Sequence, residues 1–198
     1  MSPVVTVIST SPRRKELMAE MGIPCQFVPS EGDEIWNSAL APIEQVKAIA
    51  RSKLAAVAHR YPADVCIAAD TAVAANGEIW GKPIDVEDAV RMLTQLSGGS
   101  CTVITALAIQ FVPESFHYIQ ACETIVRFNP LAEAEIRAYV ATGEPLDKAG
   151  AFAIQGQGGA LIAGIEGDYS NVVGLPMPML RDVLRRWYPE LLIPVREL

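Results

Sequence analysis

Apolar residues come in short runs separated by polar breaks, and the spacing within each run predicts an element. Residues 4–8 are almost wholly apolar and read as a buried strand. Ser11 can cap a following helix with Pro12 at its first position. Leu17, Met18 and Met21 give that helix an apolar side, and Gly22 ends it. Residues 25–28 predict a second strand, followed by a polar loop over 30–37 that carries Glu31, Asp33 and Glu34. From Pro42 to about Arg60, Ile43, Val46, Ala50, Leu54 and Val57 recur on one side of a longer helix.

Residues 65–75 form a strongly apolar strand, and Asn76–Gly77 is a tight hairpin signal leading into 78–83. Ala89, Met92, Leu93 and Leu96 share one face of a helix over 85–96. Two long strands are expected at 102–112 and 116–128, joined by a turn at 113–115. A helix starting at Asn129–Pro130 would bury Ile136, Tyr139 and Val140. Glycine-rich sequence then runs over 150–167, with short strands expected at 161–165 and 169–173 and a last helix over 177–187. The alternation of strands and helices predicts an α/β or α+β fold, with no internal repeat or linker. The 198 residues suit one domain, which is the expected organisation over 1–198.

Half the chain is hydrophobic (51%) and 20% is charged, which suits a packed core and argues against disorder. Sixteen basic against 23 acidic residues leave a net charge of −7, a poor match to nucleic acid. A small anion remains compatible, because the local field governs a pocket. Arg13, Arg14 and Lys15 supply such a local positive cluster. Met1 leads into the first strand without the pattern of a signal peptide, and no apolar run approaches membrane-spanning length. A cytoplasmic protein without a membrane partner is therefore expected. Cys25, Cys66, Cys101 and Cys122 form no C-x-x-C pair, and His59 and His117 are the only histidines, which disfavours zinc. A catalytic metal would be a hard ion such as Mg²⁺ or Mn²⁺, held by carboxylates and phosphates.

Asp70 is the residue least suited to a plain core. It interrupts the run Cys66-Ile67-Ala68-Ala69-Asp70-Thr71-Ala72-Val73, and a buried carboxylate there needs a cation, a metal or a strand end in a cleft. A structural Asp that closes a turn is the plainer alternative. The corner Ser9-Thr10-Ser11-Pro12-Arg13-Arg14 joins a strand to a helix start, where free N–H groups, serine hydroxyls and forked guanidinium donors favour phosphate. On spacing alone it reads equally as an ordinary cap followed by solvated arginines. Lys53 lies within the arc of Val46 and Ile49, where a snorkelling stem is the simpler reading. Lys82 sits in a hairpin arm, and Gln155 in a glycine-rich stretch where an amide can read a base edge. The P-loop and dinucleotide fingerprints are absent.

Together these segments resemble the Maf family of nucleotide pyrophosphatases, in order and over nearly the whole chain. The resemblance rests on the Ser9–Arg14 corner, Asp33-Glu34, Lys53, Ala69-Asp70-Thr71, the Gly77–Pro83 arm and Leu96-Ser97-Gly98. It rests most strongly on residues 144–156, Glu-Pro-Leu-Asp-Lys-Ala-Gly-Ala-Phe-Ala-Ile-Gln-Gly, and ends on Val172-Val173-Gly174-Leu175-Pro176. It implies an α/β fold like that of inosine triphosphate pyrophosphatases, a mixed twisted sheet flanked by helices with two lobes around a cleft. It also implies hydrolysis of a nucleoside triphosphate between its α and β phosphates, in the branch acting on dTTP and UTP, with modified pyrimidine nucleotides as further candidates. The family role is removal of non-standard or surplus nucleotides.

By the resemblance, Asp70 matches the general base, and the sequence leaves it as base or metal ligand. Arg13, Thr71 and Gln155 match positions tied to base selection, and Ser9, Arg14, Lys53 and Lys82 match phosphate-handling groups. Glu34, with Asp33 second, matches a loop carboxylate that helps hold the divalent cation. A homodimer is compatible with the family. Two positions depart from its pattern: Cys101 stands where a histidine is frequent, and Asn129 where an arginine is. The rival readings are a non-catalytic nucleotide-binding regulator of cell division and a phosphatase releasing orthophosphate. Replacing Asp70 with Asn is expected to abolish turnover and leave folding intact.

Overall fold

The computed structural model describes residues 4–31, 35–37, 39–62, 64–111 and 117–192. Strand β1 (Val4–Ile8) is followed by helix α1 (Pro12–Glu20) and strand β2 (Cys25–Val28). The β1–β2 pair is parallel, with α1 as its crossover. Ser11 starts α1 as its sequence suggests: it is extended, and its hydroxyl accepts the Arg14 N–H. Helix α2 (Pro42–Ala58) then returns the chain to strand β3 (Asp64–Ala75), which pairs parallel with the other edge of β1. Residues from Val65 to Asp70 of β3 are buried without interruption, as befits a strand covered on both faces.

The hairpin signal was sound. Asn76 and Gly77 have φ of 53° and 80°, and β4 (Glu78–Trp80) folds back antiparallel onto β3 with Val73 opposite Trp80. Helix α3 (Val86–Leu96) is capped by Asp85, whose Oδ1 accepts the Asp88 N–H at 2.8 Å. Strands β5 (Ser100–Gln110) and β6 (His117–Phe128) follow, and the turn expected at 113–115 lies outside the described residues. Helix α4 (Glu133–Ala141), strand β7 (Ile162–Glu166) and helices α5 (Tyr169–Val173) and α6 (Met177–Trp187) complete the order. Short 3₁₀ segments at Glu144–Asp147, Ala149–Ala151 and Gly156–Leu161 fill the glycine-rich stretch between α4 and β7. The seven-stranded sheet has the order β2-β1-β3-β5-β6-β7, with β4 attached to β3. Parallel pairs at β1 and antiparallel pairs at β3–β4 and β6–β7 make it the mixed sheet that was expected.

Two expectations are corrected. Helix α4 starts at Glu133, later than Asn129–Pro130. The Asn129 N–H donates to the Leu161 carbonyl and the Leu131 N–H to Ser97 Oγ, so these residues are tied outward. The helix begins once Glu135 accepts the Ala132 N–H at 2.7 Å. The segment Tyr169–Val173 is helical, although its sequence suggested a strand. Asp168 Oδ1 accepts both the Ser170 N–H and hydroxyl, which starts a helical turn. Fully buried Asn171 then donates to the Val103 carbonyl and Thr124 Oγ1.

The chain divides into two compact units: Met1–Asp70, Thr105–Cys122 and Gly174–Leu198 in the first, Thr71–Ile104 and Glu123–Val173 in the second. The first packs Val5, Val7 and Ile8 of β1 with Leu17 and Met18 of α1 and the buried face of α2. The second has a core built from Val73, Trp80, Leu93, Val103, Phe128, Tyr139 and Phe152, with Phe128 and Phe152 edge to face at 5.0 Å. No described helix is long and apolar enough to cross a membrane.

Candidate active site

In the first unit, β1 and β3 run parallel, and their pairing ends at Ile8 opposite Ala68. Ser9 follows the carboxyl end of β1, and Asp70 lies within β3 two residues past the last parallel pair, beside the strand end where open α/β sheets bind ligands. Asp70 is 5% exposed. Its Oδ1 lies 2.6 Å from Lys53 Nζ, and the lysine side chain is also nearly buried. Lys53 occupies a core slot of α2, in line with buried Val46, Ala50 and Val57. The helical pattern favoured a snorkelling stem, but this ammonium turns inward. Two opposite charges removed from water compensate each other here, and either one alone would be costly.

The Ser9–Arg14 corner is more ordered than its sequence required. Ser9 is buried, and its Oγ accepts the Ser11 N–H at 3.2 Å and an Arg14 Nη1–H at 3.3 Å. Arg14 Nε donates to the Gly174 carbonyl at 2.8 Å, anchoring α1 to the segment ahead of α6. Lys15 sits over the Phe27 ring at 5.5 Å. The local cationic cluster thus separates into three jobs: Arg14 braces the corner, Lys15 covers an aromatic ring, and half-buried Arg13 bonds to no described side chain or carbonyl. The anchoring carbonyl of Gly174 had no signal in the sequence beyond its place in the Val172–Pro176 motif.

Thr71 follows Asp70 directly and is half-buried. In the second unit, Lys82 is exposed just beyond β4, and its arm is held where the Gly150 N–H donates to the Gly81 carbonyl at 3.0 Å. Gln155 is half-buried and opens the turn Gly156–Leu161. Glu144 closes that turn: its carboxylate accepts the Gln157 and Gly158 N–H groups and the Tyr139 hydroxyl. Partial burial of Glu144 opposes ionisation, but the two backbone N–H groups, Tyr139 and nearby Lys148 outweigh it and hold the carboxyl below its usual range. Glu144 belongs to the motif at 144–156 but has no role assignable from sequence; a carboxylate ahead of a glycine-rich turn is the available signal.

Asp33 and Glu34 lie outside the described residues. Among the described residues, no three His, Cys, Asp or Glu side chains come together to hold a metal ion. Mg²⁺ nevertheless often takes one or two carboxylates and completes its shell with water and substrate phosphate. The hard, buried oxygen donor of Asp70 fits that mode. The two departures have packing roles. Cys101 is buried in the core of the second unit, where desolvation pushes its thiol up to about 12. Asn129 Nδ2 donates to the Ala160 carbonyl at 3.4 Å.

The family model described as "Maf-like protein" matches residues 5–187. A dTTP/UTP pyrophosphatase of Moorella thermoacetica is 46% identical over 180 residues, covering 91% of this chain and 93% of the relative. Those of Symbiobacterium thermophilum and Gloeobacter violaceus are 46% and 45% identical, over 91% and 89% of this chain and 93% and 92% of theirs. The ordered motifs, the mixed sheet and these matches agree, and the chain belongs to the Maf-like protein family.

Proposed function

We propose that this protein hydrolyses dTTP and UTP between the α and β phosphates, releasing the nucleoside monophosphate and pyrophosphate. The observation that carries the reading is the buried Lys53–Asp70 pair just past the last parallel β1–β3 pair, in a chain whose relatives are named for this activity. Modified pyrimidine triphosphates are further candidate substrates. The acidic net charge argues against a nucleic-acid partner, and a cytoplasmic nucleotide-pool enzyme acting as a homodimer is the reading the family favours.

Phosphoanhydride hydrolysis is a problem of alignment and charge. Asp70 orients a water and takes its proton as the water oxygen bonds to the α phosphorus. The bond from that phosphorus to the bridging oxygen breaks, and the electron pair leaves on pyrophosphate. Lys53 keeps the Asp70 carboxylate aimed and offsets charge beside it. Arg13 and the Ser9 corner, braced by Arg14, receive phosphate oxygens, and Lys82 adds a further ammonium for the leaving group. Asp70 would hold a Mg²⁺ or Mn²⁺ ion, with Glu34 as a second carboxylate. When bound, the cation supplies charge compensation on the phosphate oxygens. Thr71 and Gln155, with Arg13, are assigned to base selection.

The test is a panel of nucleoside triphosphates incubated with the protein and Mg²⁺, with both phosphate products measured. Pyrophosphate from dTTP and UTP is the expected product. Orthophosphate alone would make the protein a phosphatase, and binding without either product would make it a nucleotide sensor.

A further inference from the structure

Resting on the assignment of Gln155 to base selection, we propose that Glu144 and Tyr139 are positioning residues that set the preference for uracil and thymine over cytosine by fixing the backbone on either side of Gln155. The geometry is a closed clamp. Glu144 Oε1 accepts the Tyr139 hydroxyl at 3.0 Å and the Gly158 N–H at 3.0 Å, and Oε2 accepts the Gln157 N–H at 3.1 Å. The Tyr139 oxygen in turn accepts the Ala153 N–H at 3.2 Å. Ala153 lies two residues before Gln155, and Gln157 two residues after it. One carboxylate and one phenol thus hold both flanks of the same amide side chain.

The fit leaves no room for slack. A Cβ at Gly156 would lie 2.6 Å from Glu144 Oε2, at a φ of +75°. A Cβ at Gly158 would overlap the Ala153 carbonyl and lie 2.5 Å from the Tyr139 hydroxyl. Burial and the bond to Glu144 push the Tyr139 phenol up, so it stays a neutral donor. Because the carboxylate takes two N–H groups of the turn, those groups point inward to Glu144 and the orientation of the turn is set.

The chemistry of the base explains why this matters. Uracil and thymine present an acceptor at O4 and a donor at N3, and cytosine presents the reverse. A glutamine amide can rotate to offer donor and acceptor in either order. Gln155 alone therefore accommodates both edges. Backbone N–H and C=O groups do not exchange roles, so discrimination requires the peptide groups around Gln155 to be held in one orientation. The clamp does this, and relaxing it lets the turn adapt to the wrong edge.

The experiment compares wild type with Glu144→Gln and Tyr139→Phe in steady-state hydrolysis of UTP, dTTP and CTP. The glutamine keeps one acceptor oxygen but turns an N–H donor toward one of the N–H groups of the turn. KM for UTP is expected to rise, and the preference for UTP over CTP to fall, each about tenfold, with a smaller change in kcat. Glu144→Asp keeps the charge and is expected to retain part of the preference. UMP and CMP affinities, measured on the same proteins by calorimetry, should show the same loss of discrimination. An unchanged UTP-to-CTP ratio in both variants, or an equal loss for all three triphosphates, overturns the inference. If Glu144→Gln does not fold, Tyr139→Phe decides alone, because it removes one hydroxyl and leaves the carboxylate in place. A wild type that releases no pyrophosphate would refute the proposed function. The clamp would then stand or fall on the monophosphate affinities, and a wild type without preference for UMP overturns it.

Discussion

Lys53 Nζ lies 2.6 Å from Asp70 Oδ1, with the two side chains only 12% and 7% exposed. A helix and a strand each place one ionisable group in the core of the first unit, and each group makes the other tolerable. The pairing changes what a substitution at Asp70 should do. Beyond loss of turnover, Asp70→Asn leaves a buried ammonium facing a neutral amide, so a stability cost now accompanies the loss of activity.

Removing one partner of a buried pair costs about 3–5 kcal/mol. Lys53→Met is therefore expected to lower the urea midpoint strongly and to abolish turnover. The double variant, Lys53→Met with Asp70→Asn, should recover part of the stability and none of the activity. A double-mutant cycle by urea unfolding measures this. Additive losses would mean that the two groups are not energetically coupled.

Glu144 predicts a specific acid dependence. Its folded carboxyl is held below the ordinary 4.5, so its contribution to stability is fully present above that value and is lost as pH falls through the lower folded value. The groups facing it are the neutral Tyr139 phenol, two backbone N–H groups and the Lys148 cation. The stability difference between wild type and Glu144→Gln should be constant from neutral pH to about pH 5 and shrink below it. Chemical unfolding across a pH series measures the difference, and a gap that widens in acid would contradict the assignment.

Gly156→Ala forces a β-carbon onto Glu144 at a positive φ. The expected cost is about 1–3 kcal/mol, because the carboxylate that would have to move is held by three donors. Gly77→Ala also meets a positive φ but no atom within 4 Å, so its cost should be the smaller of the two. Thermal melts of the two variants rank them.

Thiol labelling reads the packing of the cysteines. Burial pushes Cys101 up to about 12, and burial together with the Asp64 charge pushes Cys66 up to about 11. Both should resist a disulfide reagent at pH 8 in the folded protein and react once it is denatured. Fast native labelling at either position, located by peptide mass analysis, would show that the core opens.

The sequence was most readable where one local rule decided the outcome. The Asn76–Gly77 turn, the Ser11 cap and the apolar stripe of α3 came from conformational preference and periodicity alone. It failed where a partner outside the segment won. Residues 129–131 were diverted from the helix by Leu161 and Ser97. Residues 169–173 were turned from strand to helix by Asp168 and by the bonds of Asn171 to Val103 and Thr124.

The candidate site divides in the same way. The sequence by itself singled out Asp70, because a carboxylate inside an apolar strand conflicts with its surroundings whatever the fold. It also singled out the Ser9–Arg14 corner and Gln155, through residue chemistry and ordered motifs. Only the tertiary structure decided that Lys53 faces inward to meet Asp70, that Arg14 braces Gly174 and leaves Arg13 uncommitted, and that Glu144 ties down the turn behind Gln155. Periodicity identifies the face a residue occupies. The atom that face meets depends on how distant segments pack, and the cost of burying an uncompensated charge or polar group then selects the partner.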